Sequence, residues 1–238
     1  MGAYGLDKNV KNIPIFILNF KNYPEVAGHK SIELAKAAQQ VAKSFNGRLE
    51  IVVASPQPAL SLLAKFVDIP VFAQHLDDIE EGSTTGFFVP EMAHSFGAHG
   101  SLINHSEHRI ESSNVIQSLV NRLKKLQMVS VVCAHSSLEV SNFAVFEPDY
   151  IAIEPPELIG TGKAVSKESP SVIRESVDAA AKISKNVKLI CGAGITEAAD
   201  VKSALRLGAQ GILVASGVIK AAGWFDKIAE LASGYEGS

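Results

Sequence analysis

Cysteine is scarce in this chain: only Cys133 and Cys191 occur in 238 residues, each within an apolar run and without a partner at metal-binding spacing. That argues against a disulfide scaffold or a cysteine-built zinc site, and a reducing cytoplasm is the simplest setting. Long hydrophobic runs are missing too. The opening residues, MGAYGLDKNVKN, lack the apolar core of a secretory signal, and no later stretch approaches the roughly 20 apolar residues that span a bilayer. No membrane partner is expected. An excess of positive charge is also absent, since 22 Lys and Arg stand against 25 Asp and Glu for a formal charge of -3. Without a basic stripe to neutralise a phosphate backbone, nucleic acid is not an expected partner, whereas a small phosphorylated ligand is compatible. No linker, low-complexity tract or charge block interrupts the chain. The reading is one domain over 1–238, with 1–12 a polar extension leading into the first strand.

What is present is a regular alternation. Short, β-branched, apolar runs recur at 14–19, 49–54, 70–74, 100–104, 129–133, 149–153, 187–191 and 211–215. Most are continuously apolar, the pattern of strands covered on both faces and therefore of a parallel sheet. Between them, 29–45, 111–128 and 170–184 carry helical spacing; Ser169-Pro170 reads as an N-cap and first-turn pair, and Gly47 and Gly208 as stop signals. Eight strands alternating with helices predict an α/β fold, a (β/α)8 barrel of eight parallel strands surrounded by helices, in preference to an open sheet of about six strands.

In such barrels chemistry sits at the carboxyl ends of the strands. Strand one ends in Asn19-Phe20-Lys21, strand four in Asn104-His105-Ser106-Glu107-His108-Arg109, and strand six in Glu154. Each has an ordinary structural reading: Asn and Lys as turn residues, His as a hydrogen-bonded loop residue, Glu as a helix cap. Pro155-Pro156 weakens the last, because a residue before proline is pushed away from helical angles. His105 and His108 lie three apart, but no second His or Cys pair completes a site, so no metal is expected. The last two strands end in Cys191-Gly192-Ala193-Gly194-Ile195-Thr196 and Val214-Ala215-Ser216-Gly217. These small residues precede helix starts, where backbone N–H groups can hold an anion, and together they favour a phosphate cradle over two tight turns. A cation, an electrophile, a base and a phosphate cradle around one anionic substrate suit proton abstraction beside a carbonyl, with neither metal nor cofactor.

"NFK" at 19–21, "NHSEHR" at 104–109, "EPPELIGTGK" at 154–163, "CGAGIT" at 191–196 and "LVASG" at 213–217 span nearly the whole chain. In that order and approximate spacing they resemble triosephosphate isomerase, and its archaeal branch in particular. Many bacterial and eukaryotic members read Val-Trp-Ala where this chain has Pro156-Glu157-Leu158, Gly-Gly-Ser where it has Gly192-Ala193-Gly194, and Gly-Gly where it has Ala215-Ser216.

The resemblance implies interconversion of D-glyceraldehyde 3-phosphate and dihydroxyacetone phosphate through an enediolate, in glycolysis and gluconeogenesis. It implies Glu154 as the base, His105 as the electrophile, Lys21 as the cation for phosphate and enediolate charge, and Asn19 as an orienting group. Glu107 is implied as a partner of Lys21. Backbone N–H groups near Gly160, Gly194, Ala215 and Ser216 are implied to hold phosphate, with Ile159 closing over the reacting carbons in a lid rooted at Glu154. Pro155-Pro156 would limit one hinge of that lid, and Gly160-Thr161-Gly162 would free the other. Ser106-Glu107 are expected to begin a short helix whose positive end keeps His105 neutral. Thr84-Thr85-Gly86 resembles the family's interdigitating loop, which implies a homo-oligomer, a dimer at least, and a tetramer on the archaeal pattern. Two alternatives stay open: a silent barrel that binds a sugar phosphate, and another phosphate-binding barrel lyase or epimerase. A binder has no need of Lys21, His105 and Glu154 together, and a lyase or epimerase is expected to lack this lid sequence.

Overall fold

The computed structural model describes residues 13–155 and 165–236. Eight strands, β1 (Ile15–Asn19), β2 (Glu50–Ser55), β3 (Val71–Ala73), β4 (Gly100–Ile103), β5 (Val129–Ala134), β6 (Tyr150–Ile153), β7 (Lys188–Cys191) and β8 (Gly211–Val214), pair in parallel and in sequence order. The ring closes where β8 returns to β1, with Ile15 opposite Gly211 and Leu18 opposite Val214. Around it lie α1 (Lys30–Ser44), α2 (Leu60–Phe66), α3 (Pro90–Ser95), α4 (Ser113–Lys125), α5 (Ser137–Ala144), α6 (Val165–Glu168), α7 (Pro170–Ile183), α8 (Ala198–Arg206), α9 (Ser216–Ile219) and α10 (Trp224–Ser233).

The continuously apolar runs follow from two cores that share each strand. Ile15, Ile17, Val52, Ala54, Phe72, Leu102, Val131, Cys133, Ala152, Ile190 and Leu213 fill the barrel. Their neighbours Phe16, Leu18, Ile51, Val53, Ile103, Val132, Ile151, Leu189 and Ile212 pack in the separate core that includes the helices. Side chains alternate along a strand, but both destinations are dry, so the alternation leaves no trace in hydropathy. The same two-residue period carries the inward register to Asn19, the last residue of β1, and to Glu154, Gly192 and Ala215, each directly after its strand, at the mouth of the barrel.

The helices follow their apolar stripes. α4 buries Ile116, Leu119, Val120 and Leu123, a spacing of three and four that faces one side, and ends in Arg122, Lys124 and Lys125, which suit its negative carboxyl end. Each such fully buried aliphatic side chain contributes about 1.5–3 kcal/mol. The three expected helices appear as α1, α4 and α7, trimmed at their ends. Asn46 and Gln127 take left-handed angles (φ 50° and 58°) and stop α1 and α4. Gly47 and Gly208 take φ of 75° and 101°, as stop signals do. Ser169 occupies the N-cap of α7 and Pro170 its first turn, though the serine side chain makes no capping bond. After α10, the buried Tyr235 hydroxyl donates to the Ile15 carbonyl at 2.9 Å, tying this segment to the first residue of β1. Among the described residues, no helix is long and apolar enough to cross a membrane.

Candidate active site

Asn19, Lys21, His105, Glu154, Gly194, Ala215 and Ser216 line one small cavity of about 60 Å³ at the carboxyl ends of the strands, with Tyr23 and Gly192. A larger recess of about 400 Å³ adjoins it, sharing Asn19, Lys21, Tyr23 and His105 and extending past Gln74, His75 and Glu107. Ile159 and Gly160, and the lid expected over 154–163 beyond its first two residues, lie outside the described residues.

Glu154 follows β6 directly and is buried, its N–H donating to the Ala134 carbonyl at 2.8 Å. Among the described residues its Oε2 has no hydrogen-bond partner. Burial pushes its carboxyl up from an ordinary value near 4.5 to about 7, while the Cys133 thiol and the Lys21 ammonium pull the other way. Burial dominates because solvation favours the charged form and is lost here.

His105 is also buried, with its Nε2 3.7 Å from Glu154 Oε1. Burial lowers its pKa from 6.5 to about 4, and the nearby Lys21 charge lowers it further than Glu107 restores it. The contact with Glu154 is therefore not an ion pair. His105 Nδ1 accepts the Glu107 backbone N–H at 3.2 Å. A nitrogen that accepts cannot carry the proton, so the neutral ring holds it on Nε2, facing Glu154.

This corrects the expected origin of the neutral imidazole. No helix begins at Ser106: residues 106–108 form a turn in which the His108 N–H donates to the His105 carbonyl at 2.8 Å. Asn104 explains the departure. Its left-handed backbone (φ 63°) turns the chain, its side chain donates to the Cys133 carbonyl at 3.0 Å, and its Oδ1 accepts the Ile110 N–H at 2.9 Å. The loop is thus closed on itself, and one backbone N–H with burial does what a helix end was expected to do. His108 does not line the small cavity; it lines the adjoining recess, where it stacks on His75, ring centroids 3.7 Å apart.

Lys21 donates from Nζ to Glu107 at 2.7 Å, as the resemblance implied. Asn19 is buried and its Oδ1 accepts the Lys21 N–H at 3.0 Å. Gly194, which also lines the cavity, has φ 71°, an angle suited to glycine. The loop is held from behind: Asp200 accepts the Thr196 N–H at 2.9 Å and the Glu197 N–H at 3.1 Å, and Lys167 on α6 pairs with Asp200 at 2.8 Å.

Sequence reasoning passed over Gly192, Cys133 and Gln74. A Cβ at Gly192 would stand 2.5 Å from Glu154 Cγ and 3.0 Å from Oε1, so glycine there is room for the carboxylate. Inward parity at 133, 154 and 192 is the signal that would have found the first two. Gln74 carries the same parity, standing two residues past Phe72, which faces the barrel interior.

Comparison with known proteins gives the same picture along the chain. A profile of the triosephosphate isomerase family matches residues 14–232. The chain is 51% identical over 219 residues to the triosephosphate isomerase of Cenarchaeum symbiosum (strain A), a match spanning 92% of this chain and 96% of that one. It is 42% identical over 227 residues to the triosephosphate isomerase of Methanothermobacter thermautotrophicus, spanning 95% and 98%. The corresponding figures for Methanocaldococcus jannaschii are 43% over 217 residues, spanning 91% and 98%. A match of this extent, running from β1 into α10 of a closed eight-stranded barrel, shows that the chain belongs to the triosephosphate isomerase family.

Proposed function

We propose that this protein interconverts D-glyceraldehyde 3-phosphate and dihydroxyacetone phosphate, with Glu154 as the base and His105 as the electrophile. The observation that carries the assignment is the pair itself: a buried carboxyl raised to about 7 faces, at 3.7 Å, the Nε2 of a neutral imidazole. Glu154 takes a proton from the carbon beside the carbonyl and returns it to the neighbouring carbon. His105 donates its Nε2 proton in a hydrogen bond to the carbonyl oxygen as that oxygen gains charge. A neutral donor is closer in acidity to an enediol than an imidazolium is, so the proton is shared and recovered. Lys21 balances the phosphate and the developing enediolate, and Asn19 orients the substrate. Backbone N–H groups at Gly194, Ala215 and Ser216 receive the phosphate; Gly160 and Ile159 enter by resemblance alone.

The unit is one domain, working in the cytoplasm in glycolysis and gluconeogenesis as a homo-oligomer, a dimer at least and a tetramer on the archaeal pattern. An exposed turn supports the oligomer. Asp77 and Phe88 exchange two hydrogen bonds at 2.9 and 2.7 Å, and Arg122 grips Asp78 and the Ile79 carbonyl, so residues 81–87 project from a fixed base. Phe87 at its end is half exposed.

A coupled assay with glyceraldehyde 3-phosphate tests the reaction. Rapid appearance of dihydroxyacetone phosphate is expected, and kcat/KM should fall with unit slope as the pH drops below about 7, where Glu154 becomes protonated. No histidine limb is expected between pH 5 and 9, because His105 titrates near 4. Folded protein that converts nothing would move the chain to a silent sugar-phosphate binder.

Gly192→Ala should fold, since it lies at a strand end, yet displace Glu154 and lower kcat by about 10²-fold. Steady-state kinetics beside a thermal melt checks this, and unchanged kcat would show that the carboxylate has another place to sit.

A further inference from the structure

Lys21 reaches the cavity from a backbone conformation that it would not choose alone. Its φ of 48° is left-handed, a state that a non-glycine residue keeps only where its surroundings hold it. Asn19 Oδ1 holds its N–H. The other end of the residue is held by Gln74, directly after β3, whose Nε2 donates to the Lys21 carbonyl at 3.2 Å and to the Ala54 carbonyl at 3.1 Å. Ala54, in β2, also accepts the Phe20 N–H at 2.9 Å. One carboxamide thus joins the turn after β1 to β2 and β3.

We propose that Gln74 is a positioning residue for the isomerisation, locking the left-handed backbone of Lys21 and so aiming its ammonium into the cavity. This rests on Lys21 serving the substrate's charge. The chemistry of the side chain fits the task. Two protons on one nitrogen serve two carbonyl oxygens, a carboxylate would repel both, and the shorter Asn could not span them. Without the donor, the Lys21 carbonyl loses a partner and nothing on that side opposes rotation to the commoner negative φ. That rotation redirects Cβ, and the flexible lysine stem carries the ammonium away from the cavity and from Glu107.

The test is a double-mutant cycle using Gln74→Ala and Gln74→Met, each alone and combined with Lys21→Ala. Met keeps length and bulk while removing the donors, so it guards against simple collapse of the site. Each single Gln74 variant should lower kcat/KM by about 10- to 100-fold, raising KM and lowering kcat together. In the Lys21→Ala background the further loss should shrink to about twofold or less, because the group being aimed is gone. Equal losses in both backgrounds, or none with Lys21 present, would overturn the proposal, since a merely structural residue cannot tell the backgrounds apart. Titration with inorganic phosphate repeats the cycle by binding alone. If the parent protein binds phosphate but turns nothing over, the isomerase assignment fails, while loss of phosphate affinity that depends on Lys21 still decides for Gln74 and additive loss decides against it.

Discussion

Glu154→Gln is expected to fold, to bind phosphate as the parent does, and to turn over at least about 10³-fold more slowly. The carboxamide keeps the shape of the side chain and loses its basicity, so the loss falls on kcat and leaves binding in place. Near-parental turnover would remove Glu154 as the base. The same substitution has a second, opposite consequence for stability. A carboxyl whose folded pKa is raised from 4.5 to about 7 opposes folding in its charged form, by roughly 3 kcal/mol. This cost is present in full above about pH 7 and disappears as the pH falls to 4.5, where folded and unfolded chains are both protonated. Glu154→Gln should therefore melt at or above the parent's temperature at pH 8, with the difference fading towards pH 5. A variant less stable than the parent at pH 8 would show that the buried carboxylate is compensated by a contact that the carboxamide cannot make.

Lys21→Ala should raise KM and lower kcat together, with kcat/KM down by at least about 10³-fold, because one charge serves both phosphate and enediolate. A loss confined to kcat would contradict the dual role. The structure adds a signature in pH. Lys21 holds the Glu154 carboxyl lower and the His105 imidazolium lower than burial alone would. Its removal should shift the acid limb of the residual activity to higher pH, and an unshifted limb would mean that the ammonium does not act on Glu154. His105 should remain neutral near pH 7, since burial is the larger cause of its low pKa. Removal also leaves Glu107 without its 2.7 Å partner, at little cost, because that carboxylate is exposed to water.

The barrel was legible because its strands are dry on both faces, which turns each into an unbroken apolar run that composition cannot disguise. The site was legible where a polar residue interrupts such a run at its end, as Asn19, His105 and Glu154 do. What escaped notice depends on backbone angles and on space. Nothing in the letters around Asn104 marks it as left-handed, and that angle closes the loop that leaves no room for a helix at Ser106. Gly192 reads as one more small residue in a phosphate loop, whereas its work is to leave room for a side chain 38 positions earlier. Gln74 acts on carbonyls of residues 21 and 54, a relation that exists only once three strands lie side by side.

Closure of the ring between β1 and β8 also sets a schedule for synthesis. Lys21 leaves the ribosome some two hundred residues ahead of the backbone at 215–216, at about 5–20 residues per second. Until residues 211–214 emerge, β1 has β2 on one side and an unpaired edge on the other. That edge can template a strand from another chain, and covering it requires a contact across almost the full sequence, the slowest kind to form. The Tyr235 bond to Ile15 belongs to the same late event. A nascent chain thus holds Lys21, and later Glu154, before its ring can close, and depends in that interval on whatever in the cell shields open strands.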